Sequence, residues 1–177
     1  MKLGTLYRRD DYCYGTSNGV SAKLGTGWGQ FNALLSPGDL TSDGVPDLLA
    51  RKKSTGELML YPGRSTGTFQ APVRIGTGWN GYTLVGAGDT TGDGHGDLLA
   101  RDATGALWRY NGTGRGSFAQ RVKIGSGWQQ YNAIAAAGDF TDDAKPDPVA
   151  RDTAGVLWRY NGTGIGTFGA RVKIGTG

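Results

Sequence analysis

Three short loops carry the side chains that could do chemistry in this sequence. They occupy residues 39–47, 89–97 and 139–147 and follow the pattern Asp-x-Thr-x-Asp-Gly-x-x-Asp, with one departure in the third loop. Alternate residues of a tight loop point inward together, and their oxygens are the hard ligands that Ca²⁺ requires. The spacing resembles the first half of an EF-hand loop, although the flanking helices and the glutamate at position 12 are missing. The pattern predicts three calcium sites with a structural role.

A second interpretation needs no metal, because aspartate commonly caps β-turns through its own backbone. Three recurrences of the whole spacing favour calcium over simple turn capping. The third loop is predicted to be the weakest site, because Ala144 replaces the turn glycine and Lys145 adds a positive charge. A left-handed backbone conformation costs a residue with a Cβ atom roughly 1–2 kcal/mol relative to glycine. Asp142 adds a carboxylate there, which is expected to point away from the ion.

The loops belong to a repeat of about 50 residues that covers nearly the whole chain. The Gly-Asp pair that opens each loop recurs at 38–39, 88–89 and 138–139, in step with Trp28, Trp79 and Trp128. Each unit is predicted to form four short strands, which is typical of a β-propeller blade. The predicted fold is therefore all-β, with about three and a half propeller blades. The predicted units are half a blade over residues 1–28 and whole blades over 29–76, 77–125 and 126–177; residues 11–19 depart from the repeat.

These repeats resemble the FG-GAP, or VCBS-type, repeats of integrin α-chain propellers and of secreted bacterial proteins. The resemblance implies that each acidic loop joins the first two strands of its blade and binds calcium. It also implies a ligand set, with a backbone carbonyl at the seventh position of each loop. Carried over by position, the ligands are Asp39, Thr41, Asp43, Val45 and Asp47; Asp89, Thr91, Asp93, His95 and Asp97; and Asp139, Thr141, Asp143, Lys145 and Asp147.

Composition and motifs favour a recognition module over an enzyme. The chain has one histidine, His95, within a calcium loop, so no Ser-His-Asp or Cys-His set can be assembled. Most aspartates lie in the acidic loops, which leaves few carboxylates for a glycosidase pair. Cys13 is the single cysteine, so the chain forms no internal disulfide. The net charge of +4 does not single out nucleic acid, and no run of apolar residues is long enough to span a membrane.

The aromatic residues are the main candidates for ligand binding. Packing between blades would explain them all, but tryptophans lining pockets between blades could also stack on sugar rings. On that interpretation the neighbouring polar side chains supply hydrogen bonds. The predicted ligand-binding residues are Trp28, Trp79, Asn80, Trp128, Gln129 and Tyr131, and Trp108 and Trp158 lie on third strands.

The leading hypothesis is a non-catalytic, calcium-stabilised module of a secreted protein that binds carbohydrate or a cell-wall polymer. The first alternative is a protein–protein adhesion or assembly propeller, and the second is an accessory domain of a secreted enzyme. Three and a half blades cannot close a ring of the usual size, and an open arc exposes unpaired strand edges. The chain is therefore expected to be a fragment of a larger propeller or to assemble as a homo-oligomer.

Overall fold

The structure is a computed structural model that describes residues 5–9, 21–136 and 138–176. Its strands form three four-stranded antiparallel sheets and one two-stranded sheet. These sheets confirm the predicted all-β propeller class. Cys13 and the divergent segment 11–19 lie outside the described residues. No helix among the described residues has the length and apolar character needed to cross a membrane.

Each four-stranded sheet is one blade, with its strands in chain order from the first to the fourth. A 3₁₀ turn precedes each blade, at Trp28–Gln30, Trp79–Gly81 and Trp128–Gln130. The half-blade ribbon is β1 (Thr5–Arg9) and β2 (Ser21–Thr26), paired antiparallel. Blade 1 contains β3 (Phe31–Gly38), β4 (Asp47–Lys52), β5 (Leu58–Tyr61) and β6 (Val73–Gly76). Blade 2 contains β7 (Thr83–Gly88), β8 (Asp97–Arg101), β9 (Leu107–Tyr110) and β10 (Val122–Gly125). Blade 3 contains β11 (Tyr131–Ala136), β12 (Pro148–Asp152), β13 (Leu157–Gly162) and β14 (Phe168–Gly175).

The hydrophobic core lies between blades, and the sheet of blade 2 is covered on both faces. Successive side chains of a strand point to opposite faces. On β8, Leu98 and Ala100 therefore join the cluster shared with blade 1, whereas Leu99 joins the cluster shared with blade 3. This two-sided burial explains why the middle strands are continuous apolar runs.

A repeated arginine fixes the second and third linker turns to the preceding blade. The Nη1 atom of Arg51 donates hydrogen bonds to the carbonyl oxygens of Trp79 and Tyr82, at 2.8 and 2.5 Å. Arg101 makes the equivalent bonds to the carbonyls of Trp128 and Tyr131. Hydrogen bonds from a charged group are stronger than neutral ones. The Ala-Arg pair near the end of the second strand thus helps to set the relative position of consecutive blades.

Candidate functional site

The first aspartate of each acidic loop organises the loop through its own backbone. Asp39 accepts hydrogen bonds from the backbone N–H groups of Thr41, Ser42 and Gly44, at 3.0, 2.6 and 2.8 Å. Burial alone would raise the pKa of Asp39, but the N–H donors of Gly44, Ser42 and Thr41 outweigh it and lower the pKa. The same competition lowers the pKa values of Asp89 and Asp139. These carboxylates are therefore held in the charged form.

The last aspartate of each loop is buried and joins two loops of its own blade. Asp47, Asp97 and Asp147 have at most 1% of their surface exposed. One oxygen of Asp97 accepts the backbone N–H of Thr90 at 3.0 Å, and the other accepts that of Gly112 at 3.0 Å. Burial raises the pKa of Asp97, and the hydrogen bond from the Thr90 hydroxyl opposes the rise. Both carboxylate oxygens therefore serve the fold.

The first two loops carry negative charge that no basic side chain neutralises. Among the described residues, their aspartates form no ion pair with lysine or arginine. In the third loop, Lys145 Nζ lies 3.0 Å from Asp143 Oδ2. Across all the residues that the structure describes, no three His, Cys, Asp or Glu side chains lie close enough to form a metal-binding group. The predicted calcium ligands thus share loops without being gathered into a preformed carboxylate cage, and calcium binding stays a prediction.

The turn position of every loop is left-handed. Gly44 and Gly94 have φ values of 81° and 84°, and Ala144 adopts 62° at the same place. The position two residues earlier is left-handed in every loop as well, with φ values of 61° at both Ser42 and Asp142 and 79° at Gly92, so only the turn position distinguishes the third loop. The third loop therefore accepts backbone strain that the glycines of the other two avoid.

The linker tryptophans pack inside the propeller. Trp79, Trp128 and Tyr131 are only 8%, 6% and 1% exposed. Trp128 stacks on Tyr160 with ring centroids 4.6 Å apart, and half-buried Trp28 lies 4.8 Å from Tyr61. Blade packing accounts for these rings, so they offer little open surface to a ligand. The polar residues beside them, Asn80 and Gln129, are exposed on the 3₁₀ turns.

Blade 2 carries a polar–aromatic cluster on its outer strands. The indole Nε1 of Trp108 donates to Asp102 Oδ2 at 2.8 Å, and the guanidinium carbon of Arg121 lies 4.0 Å from the Trp108 ring centroid. Arg121 Nη1 also donates to the hydroxyl of Tyr82 at 2.6 Å. The Trp108 hydrogen bond is the main cause that lowers the pKa of Asp102 to about 2. A charged acceptor, a charged donor and an aromatic ring thus meet at one place.

Blade 3 repeats this cluster. Trp158 Nε1 donates to Asp152 Oδ2 at 2.8 Å, and the guanidinium of Arg171 lies 4.1 Å from the Trp158 ring centroid. Arg171 Nη1 donates to the Tyr131 hydroxyl and to Gln130 Oε1, both at 3.0 Å. We call the two groups the outer clusters: Asp102, Trp108, Arg121 and Tyr82 in blade 2, and Asp152, Trp158, Arg171 and Tyr131 in blade 3.

Blade 1 has no outer cluster, because Met59 pairs with Arg74 where the other blades pair tryptophan with lysine. There Glu57 bonds Lys52 at 2.9 Å and Arg74 at 3.1 Å. The hydrogen bond from Lys52 is the main cause that lowers the pKa of Glu57 to about 2, and the bond from Arg74 adds to it. The first blade thus offers an ion-pair group where the others offer a tryptophan.

A sequence profile of FG-GAP-like repeats matches residues 39–100 and again residues 89–150. The two matches together cover more than half of the chain. The chain belongs to the FG-GAP-like repeat family. Its first match starts at the acidic loop of blade 1 and its second at that of blade 2, so the family unit bridges consecutive blades.

The FG-GAP-like chain is also similar in fold to a lectin of Agrocybe aegerita. The description of that structure concerns specific recognition of non-reducing terminal N-acetylglucosamine by the lectin. The TM-score is 0.55 at 21% identity, over 76% of this chain and 36% of the lectin. This chain therefore spans just over a third of the lectin, and the likeness shows the shared propeller fold. A search of curated protein sequences finds no match.

Sequence reasoning about this FG-GAP-like chain did not identify the outer clusters, although a signal was present. Asp102 and Asp152 recur 50 residues apart, as do Trp108 and Trp158, and the same holds for the pair Arg121 and Arg171. Asp102 and Asp152 lie outside the acidic loops, so the loop pattern does not single them out. The contact of each arginine with its tryptophan depends on pairing between the third and fourth strands.

Proposed function

We propose that this chain is a non-catalytic recognition module that binds carbohydrate through the outer clusters of blades 2 and 3. The observation that carries the proposal is the repetition of one polar–aromatic cluster, with the same partners, on two blades. The family and the fold shared with a lectin support it. A secreted location and a cell-wall or glycan ligand follow as parts of the same proposal.

Carbohydrate suits the outer clusters because a sugar ring has both an apolar C–H face and a rim of hydroxyl groups. Half-buried Trp108 offers aromatic surface, Asp102 holds its indole in place, and Arg121 carries N–H donors beyond the one bonded to the Tyr82 hydroxyl. Aromatic surface with a few fixed polar groups is the usual composition of a small-ligand site. The hydrogen bonds among these side chains hold them in place before a ligand arrives.

A non-catalytic role is supported by the way the acidic groups are used. The loop carboxylates accept hydrogen bonds from their own backbone, and the aspartates of the outer clusters are bonded to indole nitrogens. The single histidine, His95, has its Nδ1 atom 3.0 Å from the Ser42 hydroxyl of the neighbouring blade. Each of these groups has a partner that explains it structurally.

We further propose that calcium binds the first two acidic loops. The donor chemistry fits, since each loop offers exposed oxygens and unneutralised charge. The ion would be held by the carboxylates at loop positions 1 and 5, the hydroxyl at 3 and the carbonyl at 7, with the buried aspartate at 9 fixing the loop. When bound, calcium would neutralise the clustered carboxylates and stiffen the connection between the first two strands. A neutral hydroxyl at position 3 suits the modest affinity of extracellular calcium modules.

Chelation of calcium is expected to lower the melting temperature. A ligand present at 100 times its Kd stabilises the folded state by about 2.7 kcal/mol per site. Thermal unfolding is followed by circular dichroism in 2 buffers matched in ionic strength, one with Ca²⁺ and one with EDTA. Magnesium serves as the control, because it demands stricter octahedral geometry. An identical melting temperature in EDTA and calcium would contradict the calcium proposal.

The third loop is expected to bind calcium more weakly than the other two. Ala144 holds a left-handed conformation, and the ammonium of Lys145 already occupies an oxygen of Asp143. Replacing Lys145 with alanine frees this oxygen and should tighten the site severalfold, since an exposed ion pair contributes up to about 1 kcal/mol. A site-resolved calcium titration by NMR measures the effect, with Gly81→Ala as a control far from the loops. Filling of the third loop before the first would show that strain and charge do not govern affinity.

Ligand binding is expected to depend on the outer tryptophans. In a titration with chitotriose as the probe, wild-type protein should show saturable quenching of tryptophan fluorescence. Trp158→Ala should remove about half of the sites measured by calorimetry, and Trp108→Ala with Trp158→Ala should remove all binding. Met59→Ala, at the matching position of blade 1, is the control and should bind normally. Full binding by the double variant would rule out the outer clusters as the site.

A further inference from the structure

We propose that blade 1 carries an acceptor site for an inner half-blade, meaning 2 antiparallel strands joined by an acidic loop with an apolar second residue. The proposal goes beyond carbohydrate and calcium binding, since it concerns the docking of a protein segment on blade 1. It follows from how the blades of this chain contact each other. At each internal boundary, the second residue of one acidic loop packs against a surface of the following blade. We call this surface the seat.

The boundary between blades 1 and 2 shows this contact. Leu40, the second residue of the first loop, is completely buried, and its carbonyl accepts the N–H of Gly116 at 2.9 Å. It belongs to a core cluster against which Tyr110 and Phe118 of blade 2 pack. A Cβ placed on Gly112 would meet Leu40 Cδ1 at 3.0 Å, so the glycine leaves room for the leucine.

The next boundary repeats the arrangement. Thr90, the second residue of the second loop, is 3% exposed, and its carbonyl accepts the N–H of Gly166 at 2.7 Å. Phe140, at the same place in the third loop, is 54% exposed. The backbone N–H of Phe140 donates to Asp147 as those of Leu40 and Thr90 donate to Asp47 and Asp97. Burial of this position therefore comes from the following blade, not from the loop itself.

Blade 1 has the same seat on its other side, and within the described residues no loop residue occupies it. A cavity of about 260 Å³ is found there. Most of its lining matches, position by position, the blade 2 surface around Leu40: Gly63 corresponds to Gly112, Gly67 to Gly116 and Phe69 to Phe118. The lining residues are Leu24, Val45, Pro46, Gly63, Arg64, Gly67, Thr68 and Phe69. An apolar cavity of about 150 Å³ already admits benzene, so an apolar side chain fits this one.

The seat of blade 1 also differs from the other two in the acceptor to which its glycine N–H donates. In blades 2 and 3, the glycine N–H donates to the carbonyl of the incoming loop residue. In blade 1, the equivalent Gly67 N–H donates instead to the carbonyl of Arg64 in its own loop, at 2.8 Å. Entry of a loop would exchange one hydrogen bond for another, so the polar cost is small and apolar burial favours docking.

The ribbon β1–β2 determines that the occupant is a half-blade. In each whole blade, the third strand pairs with the second: β5 with β4, β9 with β8, and β13 with β12. Among the described residues, β1 pairs with β2 alone, although it corresponds to a third strand. A whole blade would overlap the ribbon, whereas 2 inner strands would extend it by β-augmentation. Residues 31–52 of this chain, β3 to β4 with Leu40 in the loop, are an example of such a segment.

The test adds this segment in trans. A fluorescein-labelled peptide of residues 31–52 is titrated with the full chain in calcium buffer under reducing conditions, and anisotropy is measured. We expect saturable binding of one peptide per chain, and at least about tenfold weaker binding by a peptide carrying Leu40→Asp. Absence of binding up to about 1 mM, or equal binding by both peptides, overturns the proposal.

Variants of the protein locate the peptide. Val45→Asp places a charge on the cavity wall and should weaken binding at least about tenfold, whereas Val122→Asp adds the same charge on an outer strand of blade 2 and should change nothing. Circular dichroism checks that both variants fold. The comparison of the two peptides leaves the protein unchanged, so it decides the question even if Val45→Asp is unstable. Equal weakening by both variants would show that the peptide binds elsewhere.

Discussion

Replacing Gly86 with alanine is expected to destabilise the protein by about 3 kcal/mol or more, at the upper end of overpacking effects. Gly86 lies on β7, the inner strand of blade 2, and a Cβ built there would overlap the backbone carbonyl of Ser36 on β3. Backbone cannot move aside as a flexible side chain does, so the two inner strands would have to separate. Urea unfolding followed by circular dichroism measures the change.

The chain offers a matched control for this prediction. Gly81 has no heavy atom within 4 Å of a built Cβ, and its φ lies outside the left-handed range. Gly81→Ala should change the free energy of unfolding by less than about 1 kcal/mol, in the stabilising direction if at all. Equal stability of the Gly86 and Gly81 variants would mean that the inner strands are not packed against each other as described.

Replacing Asp97 with asparagine is expected to cost about 3 kcal/mol. The substitution turns one carboxylate oxygen into an N–H₂ group that faces a backbone donor, from either Thr90 or Gly112. Leaving a buried donor without an acceptor costs about 1–3 kcal/mol, and the lost bonds are to a charged group. Unfolding is measured in EDTA, so that any effect on calcium is excluded.

Asp93→Asn is the control for this substitution, because it changes the same charge in the same loop. Asp93 is exposed and accepts one loop hydrogen bond, from the N–H of His95 at 2.9 Å. Its replacement should cost less than about 1 kcal/mol. If the two variants were equally stable in EDTA, the buried aspartate would not be the structural link between the loops of its blade.

The blades could be predicted from the sequence because the repeat fixes both period and strand number. The second strand of every whole blade carries Ala-Arg near its end, and the acidic loop, turns and aromatic residues keep the same order. The glycines at the matching positions predict the left-handed turn that Ala144 adopts. Such features are local, and local sequence determines them.

The roles of individual site residues were less predictable because they depend on contacts far along the chain. Spacing predicts Asp47 as a metal ligand, and only the structure shows that it also accepts the backbone N–H of Gly63, 16 residues away in another loop. Arg121 reaches Tyr82 across 39 residues, which only the register of the blade explains. Tryptophan spacing likewise cannot separate buried Trp79 from half-buried Trp108.

The most direct test of carbohydrate recognition is a glycan array. Labelled wild-type protein is applied in calcium buffer beside the double variant Trp108→Ala, Trp158→Ala, after both have been shown to fold by circular dichroism. The wild type is expected to bind a defined subset of glycans, and the double variant is expected to lose this binding. Absence of binding to any glycan by the wild type, or the same binding pattern for both proteins, would contradict this expectation.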